Sequence, residues 1–212
     1  MSKKKKNNSN EKVEENLIFK IITLGDSGVG KTSIIKRYAN NIFEDNNASS
    51  IGINYVTKEL FFNKKQKVSL KLIDTCGQER YKSLTRAFLQ NTDAVLFVFA
   101  LNDIESFNNI KEWMTLFYQN NSIKEKPQML LGNKGDLKSE VDENLINEFA
   151  KSNNIKFIKT SAKDDININE SFEEMGKILY QKYDSSKSQL NNIIISYKAP
   201  KENNGCFLCR PG

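Results

Sequence analysis

A predicted strand followed at once by a glycine-rich turn and a helix constrains the fold of this chain more than any other feature. Leu17–Leu24 is apolar and rich in β-branched residues, which predicts a buried strand. Gly25–Thr32 then fits the pattern G-x-x-x-x-G-K-[ST], and Lys31–Asn40 has the spacing of a helix. Such a turn points backbone N–H groups at a phosphate, and the helix N-terminus adds partial positive charge.

The residues of this turn predict a nucleotide site without naming its base. The Lys31 ammonium would reach the β- and γ-phosphates, and the Thr32 hydroxyl would bind Mg²⁺. The candidate phosphate-binding residues are Gly25, Asp26, Ser27, Gly28, Val29, Gly30, Lys31, Thr32 and Ser33.

The rest of the folded part alternates between strand and helix patterns. Asn54–Phe62 and Gln66–Ile73 alternate apolar with polar residues around a short turn, which predicts an antiparallel hairpin. The later order of strand, helix, strand, helix, strand, helix predicts an α/β fold, with a mostly parallel sheet, helices on both faces and one antiparallel edge strand. The predicted elements are strands Ala94–Leu101, Gln128–Gly132 and Ile155–Lys159, and helices Ser106–Tyr118, Leu145–Lys151 and Ile168–Tyr183.

Both ends of the chain lack this patterning. Residues 1–16 carry the lysine block Lys3–Lys6 and many asparagines, which predicts a disordered basic arm. The folded domain is predicted to span 17–183, and the Ser/Lys/Asn-rich 184–212 is predicted to be a flexible tail. The net charge is +6, but the body shows no basic stripe with interleaved aromatic residues, so nucleic acid is not an expected partner.

Composition removes several classes of chemistry. The chain has no histidine, which excludes histidine acid–base catalysis and the commonest zinc sites. Three cysteines do not make a disulfide framework, so we expect a reducing, cytoplasmic environment. The longest apolar run is far shorter than the ~20 residues of a membrane-spanning helix, and no secretory signal follows the N-terminal lysines.

Two further segments predict that the base is guanine. In Asn133-Lys134-Gly135-Asp136 the carboxylate can accept two parallel hydrogen bonds from the guanine N1–H and 2-amino group, a pair of donors that adenine lacks. Lys134 can pack along the purine and Asn133 can tie loops together. The backbone N–H groups of Thr160–Lys163 could meet the guanine carbonyl, which adds Ser161, Ala162 and Lys163 to the candidate site.

The segment that follows the predicted strand Gln66–Ile73 carries candidate residues for Mg²⁺ binding, γ-phosphate contact and water activation. Asp74 ends that strand and is placed to support Mg²⁺, and the Gly77 N–H can reach a γ-phosphate. Gln78 can orient an attacking water without acting as a strong base, so the candidate catalytic residues are Gln78 and Lys31.

These four motifs, in this order, resemble the small GTPases of the Ras superfamily, and most closely its Rab branch. The branch resemblance lies in Ser50–Tyr55, Lys71–Asp74 and Arg80–Thr85. It implies a P-loop NTPase G domain with a six-stranded sheet, GTP/GDP and Mg²⁺ as ligands, and GTP hydrolysis that is slow without an activator. It also implies a role in vesicle and membrane traffic on the cytosolic face of an endomembrane, and a monomeric protein.

The resemblance further implies two loops that GTP orders, at 42–55 and 76–90. Exchange factor, GTPase-activating protein and effectors would bind there, Phe43 would pack on the base, and Ser50 would replace the family's threonine as a ligand to Mg²⁺. The candidate metal ligands are therefore Thr32, Ser50 and Asp74.

The chain departs from the Rab pattern at several points. Ile73 stands where the family has tryptophan before the Asp-Thr-x-Gly motif, next to the surface that partners contact. The tail carries Cys206 and Cys209 in a C-x-x-C arrangement rather than paired terminal cysteines. Lipidation of these cysteines and membrane attachment, free thiols, and a metal or disulfide pair all remain open.

Three other functions fit parts of the sequence. A GTP-binding scaffold with little hydrolysis fits the serine at position 50, and a Ras-type signalling switch fits the shared motifs. An ATPase or phosphotransferase fits the glycine-rich turn Gly25–Thr32, called the phosphate loop below, when that turn is taken alone. However, Asn133 and Asp136 favour guanine.

Overall fold

A six-stranded sheet forms the centre of the protein. The computed structural model describes residues 17–44, 54–62, 66–75, 89, 91–119 and 126–196. Strands β1 to β6 are Leu17–Leu24, Asn54–Phe62, Gln66–Asp74, Ala94–Ala100, Gln128–Asn133 and Lys156–Lys159. Helices α1 to α5 are Lys31–Asn40, Ile104–Asn108, Ile110–Tyr118, Glu143–Ser152 and Ile168–Ser196.

The sheet topology confirms the predicted mostly parallel sheet with one antiparallel edge strand. The strand order is β2-β3-β1-β4-β5-β6, and only the β2–β3 pair is antiparallel. That pair runs from Phe62 opposite Gln66 to Asn54 opposite Asp74. The predicted turn 63–65 lies outside the described residues, but the register on both sides of it is that of a hairpin.

Helices cover both faces of the sheet, which explains why β4 is apolar along its whole length. All seven residues of β4 are buried, as expected for a central parallel strand. On one face Phe97 meets Phe117 of α3 edge-on, with ring centroids 5.7 Å apart. On the other face Tyr38 of α1 stacks on Phe172 of α5 at 4.2 Å.

Three predicted helices differ from those observed, and one of them, predicted as Leu145–Lys151, is observed as Glu143–Ser152. The predicted helix over 106–118 starts earlier, at Ile104, because the Asp103 side chain caps it by accepting from the Ser106 N–H at 3.1 Å, and it is interrupted at Asn109. The last helix continues to Ser196 instead of ending at Tyr183. Residues 184–196 contain no glycine or proline that would end the helix, so it continues where apolar spacing has stopped. Serines in this extension donate their hydroxyls to carbonyl oxygens one turn earlier, as Ser188 does to Asp184 at 2.9 Å.

The chain divides into two units, Met1–Leu179 and Tyr180–Gly212. The first unit contains the whole sheet and every described residue of the predicted site. Within the described part of the chain, none of the helices combines the length and the hydrophobicity that crossing a membrane requires.

Candidate nucleotide site

The candidate residues gather at one edge of the sheet, where the parallel strands end. Gly25 follows β1, Asp74 ends β3, Asn133 ends β5 and Thr160 follows β6. Because parallel strands point their carboxyl ends the same way, segments far apart in sequence meet there, and this edge is where open α/β sheets bind ligands.

The phosphate loop lies too close to its neighbours for side chains at two glycines. A Cβ on Gly25 would overlap the backbone carbonyl oxygen of Val98 in β4. A Cβ on Gly30 would overlap the Asn133 amide nitrogen, and Gly30 has φ of +96°, a left-handed conformation that favours glycine. Ser27 and Gly28 lie exposed between them, and Val29 is buried.

The Lys31 side chain is buried and held by the loop itself. Its exposed fraction is 5%, and its Nζ donates to the Asp26 carbonyl oxygen at 2.6 Å. The Asp26 carboxylate accepts from Asn109 Nδ2 at 2.8 Å and from Trp113 Nε1 at 2.7 Å. Ser33, also among the candidates, is buried in the first turn of α1.

Thr32 and Asp74 form a pair suited to a divalent cation. The Thr32 hydroxyl donates to Asp74 Oδ2 at 2.7 Å, whereas Asp74 Oδ1 is buried without a hydrogen-bond partner among the described residues. Burial raises the pKa of the Asp74 carboxyl, and the hydrogen bond from Thr32 and the charges of Lys31 and Lys36 oppose that rise. A buried orphan carboxylate oxygen beside a hydroxyl is the oxygen chemistry that Mg²⁺ prefers.

Two threonines fix the strand end that carries Asp74. Thr23 donates its hydroxyl to the Ile73 carbonyl oxygen at 3.1 Å, and Thr75 donates to the Thr23 carbonyl oxygen at 2.5 Å. Both threonines are buried. These cross-strand bonds set the distance between β1, which leads into the phosphate loop, and the candidate metal ligand. In the described part of the chain, no group of three or more His, Cys, Asp or Glu residues could hold a metal alone.

Asn133 joins the phosphate loop to the two segments predicted to bind the base, Asn133–Asp136 and Thr160–Lys163, which are called the base loops below. Its Nδ2 donates to the Val29 carbonyl oxygen at 2.9 Å. Its Oδ1 accepts from the Ala162 N–H at 3.2 Å and from the Thr160 hydroxyl at 3.4 Å. With an exposed fraction of 2%, this one amide ties together segments that follow β1, β5 and β6.

The residues predicted to select the base lie beside this amide. The Ser161 hydroxyl donates to Asp136 Oδ1 at 2.7 Å, which fixes the carboxylate against the last loop. Lys134 has a left-handed backbone with φ of +62° and is half-buried. Ser161 and Ala162 are buried, whereas Lys163 is exposed.

Arg37, which the sequence motifs do not include, connects three parts of the same site. Its Nε donates to the Ala162 carbonyl oxygen at 2.8 Å and its Nη2 to the Lys163 carbonyl oxygen at 3.0 Å. Its guanidinium carbon lies 5.9 Å from the centroid of the half-buried Phe43 ring. Arg37 therefore brings the predicted base-stacking residue and the last loop to the end of α1. An arginine near a helix C-terminus is common, so no sequence signal distinguishes it.

Ser50, Gly77, Gln78, Cys206 and Cys209 lie outside the described residues, as do most of the two loops predicted to respond to GTP.

Comparison with known proteins identifies the family. The family model described as "Ras family" matches residues 20–181. The chain is 36% identical to the Ypt/Rab-type GTPase YPT7 of Saccharomyces cerevisiae, over 97% of this chain and 99% of that protein. It is 31% identical to the GTP-binding protein ypt1 of Schizosaccharomyces pombe, over 90% and 94%, and 34% identical to the Ras-related protein Rab-13 of Rattus norvegicus, over 90% and 96%. The chain therefore belongs to the Ras family, as a Rab-like small GTPase.

Proposed function

We propose that this protein is a GTP/GDP switch that binds guanine nucleotide with Mg²⁺, hydrolyses GTP slowly and regulates vesicle and membrane traffic. The Asn133 amide carries the proposal, because its bond to Val29 makes the phosphate loop and the base loops one continuous site. The names of the relatives support the assignment, since they include GTP-binding and Ypt/Rab-type GTPase proteins.

The proposed base selection rests on Asp136. Its carboxylate would accept hydrogen bonds from the guanine N1–H and 2-amino group. Five residues would surround the base: Asn133, Lys134, Ser161, Ala162 and Lys163. Adenine would leave the carboxylate without those donors, and an unmatched polar pair of this kind is strongly disfavoured in a protein site.

The proposed hydrolysis is mainly electrostatic. Thr32 and Asp74 would hold Mg²⁺ together with Ser50, and the bound ion supplies positive charge to the phosphate oxygens. Lys31 would add a buried positive charge near the same oxygens, and the Asp26 carbonyl oxygen already holds its ammonium within the loop. Gln78 would orient the attacking water.

The proposed output is partner binding at 42–55 and 76–90. The γ-phosphate would order both loops, and effectors would bind only the ordered form, whereas an exchange factor and an activating protein would act on the same surface. Two described contacts support a link between the loop 42–55 and the nucleotide site. Phe43 lies near Arg37, and Asn54 pairs with Asp74 in the sheet. The protein would act as a monomer.

Membrane attachment forms the last part of the proposal. We place the protein on the cytosolic face of an endomembrane, attached through lipids on Cys206 and Cys209, with the basic arm at 1–16 as a second signal. The intact mass of protein from its native cell tests this directly. A tail peptide without added prenyl mass would refute lipid attachment but leave the nucleotide site unaffected.

Calorimetric titration in the presence of Mg²⁺ tests the nucleotide assignment. We expect GDP to bind far more tightly than ADP. The variant Asp136→Asn should lose guanine affinity and gain xanthine affinity, because an amide N–H matches the carbonyl of xanthine where the carboxylate matched an amino group. Equal affinity for GDP and ADP, or an unchanged preference in the variant, would refute the assigned role of Asp136.

Single-turnover phosphate release tests the catalytic role of Gln78. The variant Gln78→Leu removes the group that orients water and keeps a similar size, so the protein should remain in its GTP-bound state. Hydrolysis at the wild-type rate, with and without an activating protein, would contradict this role.

A further inference from the structure

A hydrogen-bond network joins the phosphate loop to the junction between α2 and α3. Its two donors, Asn109 and Trp113, have no role in the proposed function. Asn109 occupies the interruption between the two helices, and Trp113 lies one turn further along α3. Both point a side-chain N–H at Asp26, one to each carboxylate oxygen, at 2.8 Å and 2.7 Å. These lengths are typical of charge-assisted hydrogen bonds, which are stronger than neutral ones.

The carboxylate of Asp26 poses an electrostatic problem that this network solves. It belongs to a loop whose predicted ligand is a chain of phosphates, and like charges so close together repel. Two N–H donors engage both carboxylate oxygens and hold the group against α2 and α3. The charge is thus compensated by neutral dipoles on the side chains of Asn109 and Trp113.

The backbone of the same residue carries the effect into the site. The Asp26 carbonyl oxygen accepts from Lys31 Nζ at 2.6 Å, so Asp26 is tied to α3 by its side chain and to the phosphate-binding lysine by its main chain. We infer that Asn109 and Trp113 are positioning residues for phosphate binding, which act through Asp26 to hold the loop and Lys31 in place. This inference rests on the proposed function, because it takes a nucleotide as the ligand of the loop.

Packing alone does not require the identity of either side chain. Trp113 has an exposed fraction of 4% and belongs to the apolar core, where a phenylalanine ring could also pack. Asn109 is half-buried, and its side chain caps neither neighbouring helix. What both residues provide, and alanine or phenylalanine would not, is a donor directed at the Asp26 carboxylate.

Release of a fluorescent GDP analogue gives the first test. In Asn109→Ala one charge-assisted bond is lost, and we expect release about tenfold faster than in the wild type. Asn108→Ala is the matched control, since this neighbouring asparagine is exposed and we expect release within about twofold of the wild-type rate. Trp113→Phe, which keeps an aromatic ring, should accelerate release in the same way as Asn109→Ala.

Exchanging donor and acceptor separates positioning from simple damage to the fold. Asp26→Asn removes the negative charge that strengthens both hydrogen bonds, so release should accelerate although two amides can still hydrogen-bond to each other. The double variant Asp26→Asn/Asn109→Asp restores a donor and an acceptor in reversed order, and we expect release to return to within about threefold of the wild-type rate. If the two substitutions acted only by destabilising the fold, their effects on the release rate would add together in the double variant.

The single tryptophan of the chain provides a spectroscopic readout. An indole N–H bonded to a carboxylate should give one downfield cross-peak in the ¹H–¹⁵N spectrum of the GDP-bound protein. Asp26→Ala should move that peak upfield, while the backbone peaks keep the chemical-shift dispersion of a folded protein.

The outcomes distinguish this inference from the proposed function. Wild-type release rates in Asn109→Ala and Trp113→Phe, additive effects in the exchanged pair, or an unmoved indole peak in Asp26→Ala would overturn the inference alone. A wild-type protein that does not bind GDP would overturn both.

Discussion

Removing the Asn133 amide should weaken nucleotide binding strongly, because this side chain joins the phosphate loop to the segment after β6. In Asn133→Ala the bonds to Val29 O and Ala162 N–H are lost, at 2.9 Å and 3.2 Å. Each ordinary hydrogen bond contributes about 1 kcal/mol, and a buried group left without a partner costs a further ~1–3 kcal/mol. A loss of about 3 kcal/mol corresponds to roughly a hundredfold faster release of GDP.

The assay is the release of a fluorescent GDP analogue into excess GDP, followed by stopped flow. Asn147→Ala serves as the control, because that asparagine is exposed on α4 and forms none of these bonds. Urea unfolding of the nucleotide-free protein measures the part of the loss that falls on the fold, because bound GDP would add its own affinity to the free energy of unfolding. Release within threefold of the wild-type rate would refute the view that this amide holds the loops together.

The same amide predicts a coupling with the phosphate loop. A Cβ at position 30 would overlap Asn133 Nδ2, so Gly30→Ala should accelerate GDP release. In the Asn133→Ala background the steric part of that penalty disappears, and only the cost of the left-handed backbone remains. Strictly additive effects in the double variant would show that the two residues do not contact each other as described.

Three further changes test other parts of the site and fold. Arg37→Ala removes two hydrogen bonds to the carbonyl oxygens of Ala162 and Lys163, so GDP release should be about tenfold faster, and an unchanged release rate would contradict this. Arg37→Lys should restore little of the wild-type rate, because lysine lacks the planar fork of donors. Phe172→Ala deletes a buried ring stacked on Tyr38 and should lower the free energy of unfolding by about 3–5 kcal/mol in urea titrations; a loss below about 1 kcal/mol would contradict the packing described. Chelating Mg²⁺ should accelerate GDP release strongly in the wild type and much less in Asp74→Ala, and an equal acceleration would exclude Asp74 as a ligand.

The sheet and the phosphate loop could be predicted because their signals are local. A β-branched run, a glycine motif and a helix stand next to one another in the sequence, and the apolar strand Ala94–Ala100 indicates a buried centre by itself. The end of α5 could not be predicted in this way. Its extension past Tyr183 has no apolar periodicity, and because 184–196 contain no glycine or proline, no local signal marks where the helix ends.

The candidate site was predictable where residue type and position after a strand are sufficient, as for Asp136. It was not predictable where a side chain acts across a large sequence separation. Arg37 contacts Ala162, and Trp113 contacts Asp26, through helix positions that look like an ordinary basic end and an ordinary apolar face. Only the packing of α1 and α3 against the loops gives these two residues their partners.

Phe62 and Gln66, which flank residues 63–65, lie at the far end of β2 and β3 from Asp74. Strand β3 has nine residues, which at about 3.3 Å per residue puts its first residue roughly 26 Å from the carboxylate. A short epitope or a dye-labelling sequence inserted at 63–65 would therefore be remote from the nucleotide, and it would also leave both chain termini unaltered. This position offers a way to image the protein in cells without placing a tag next to Cys206 and Cys209.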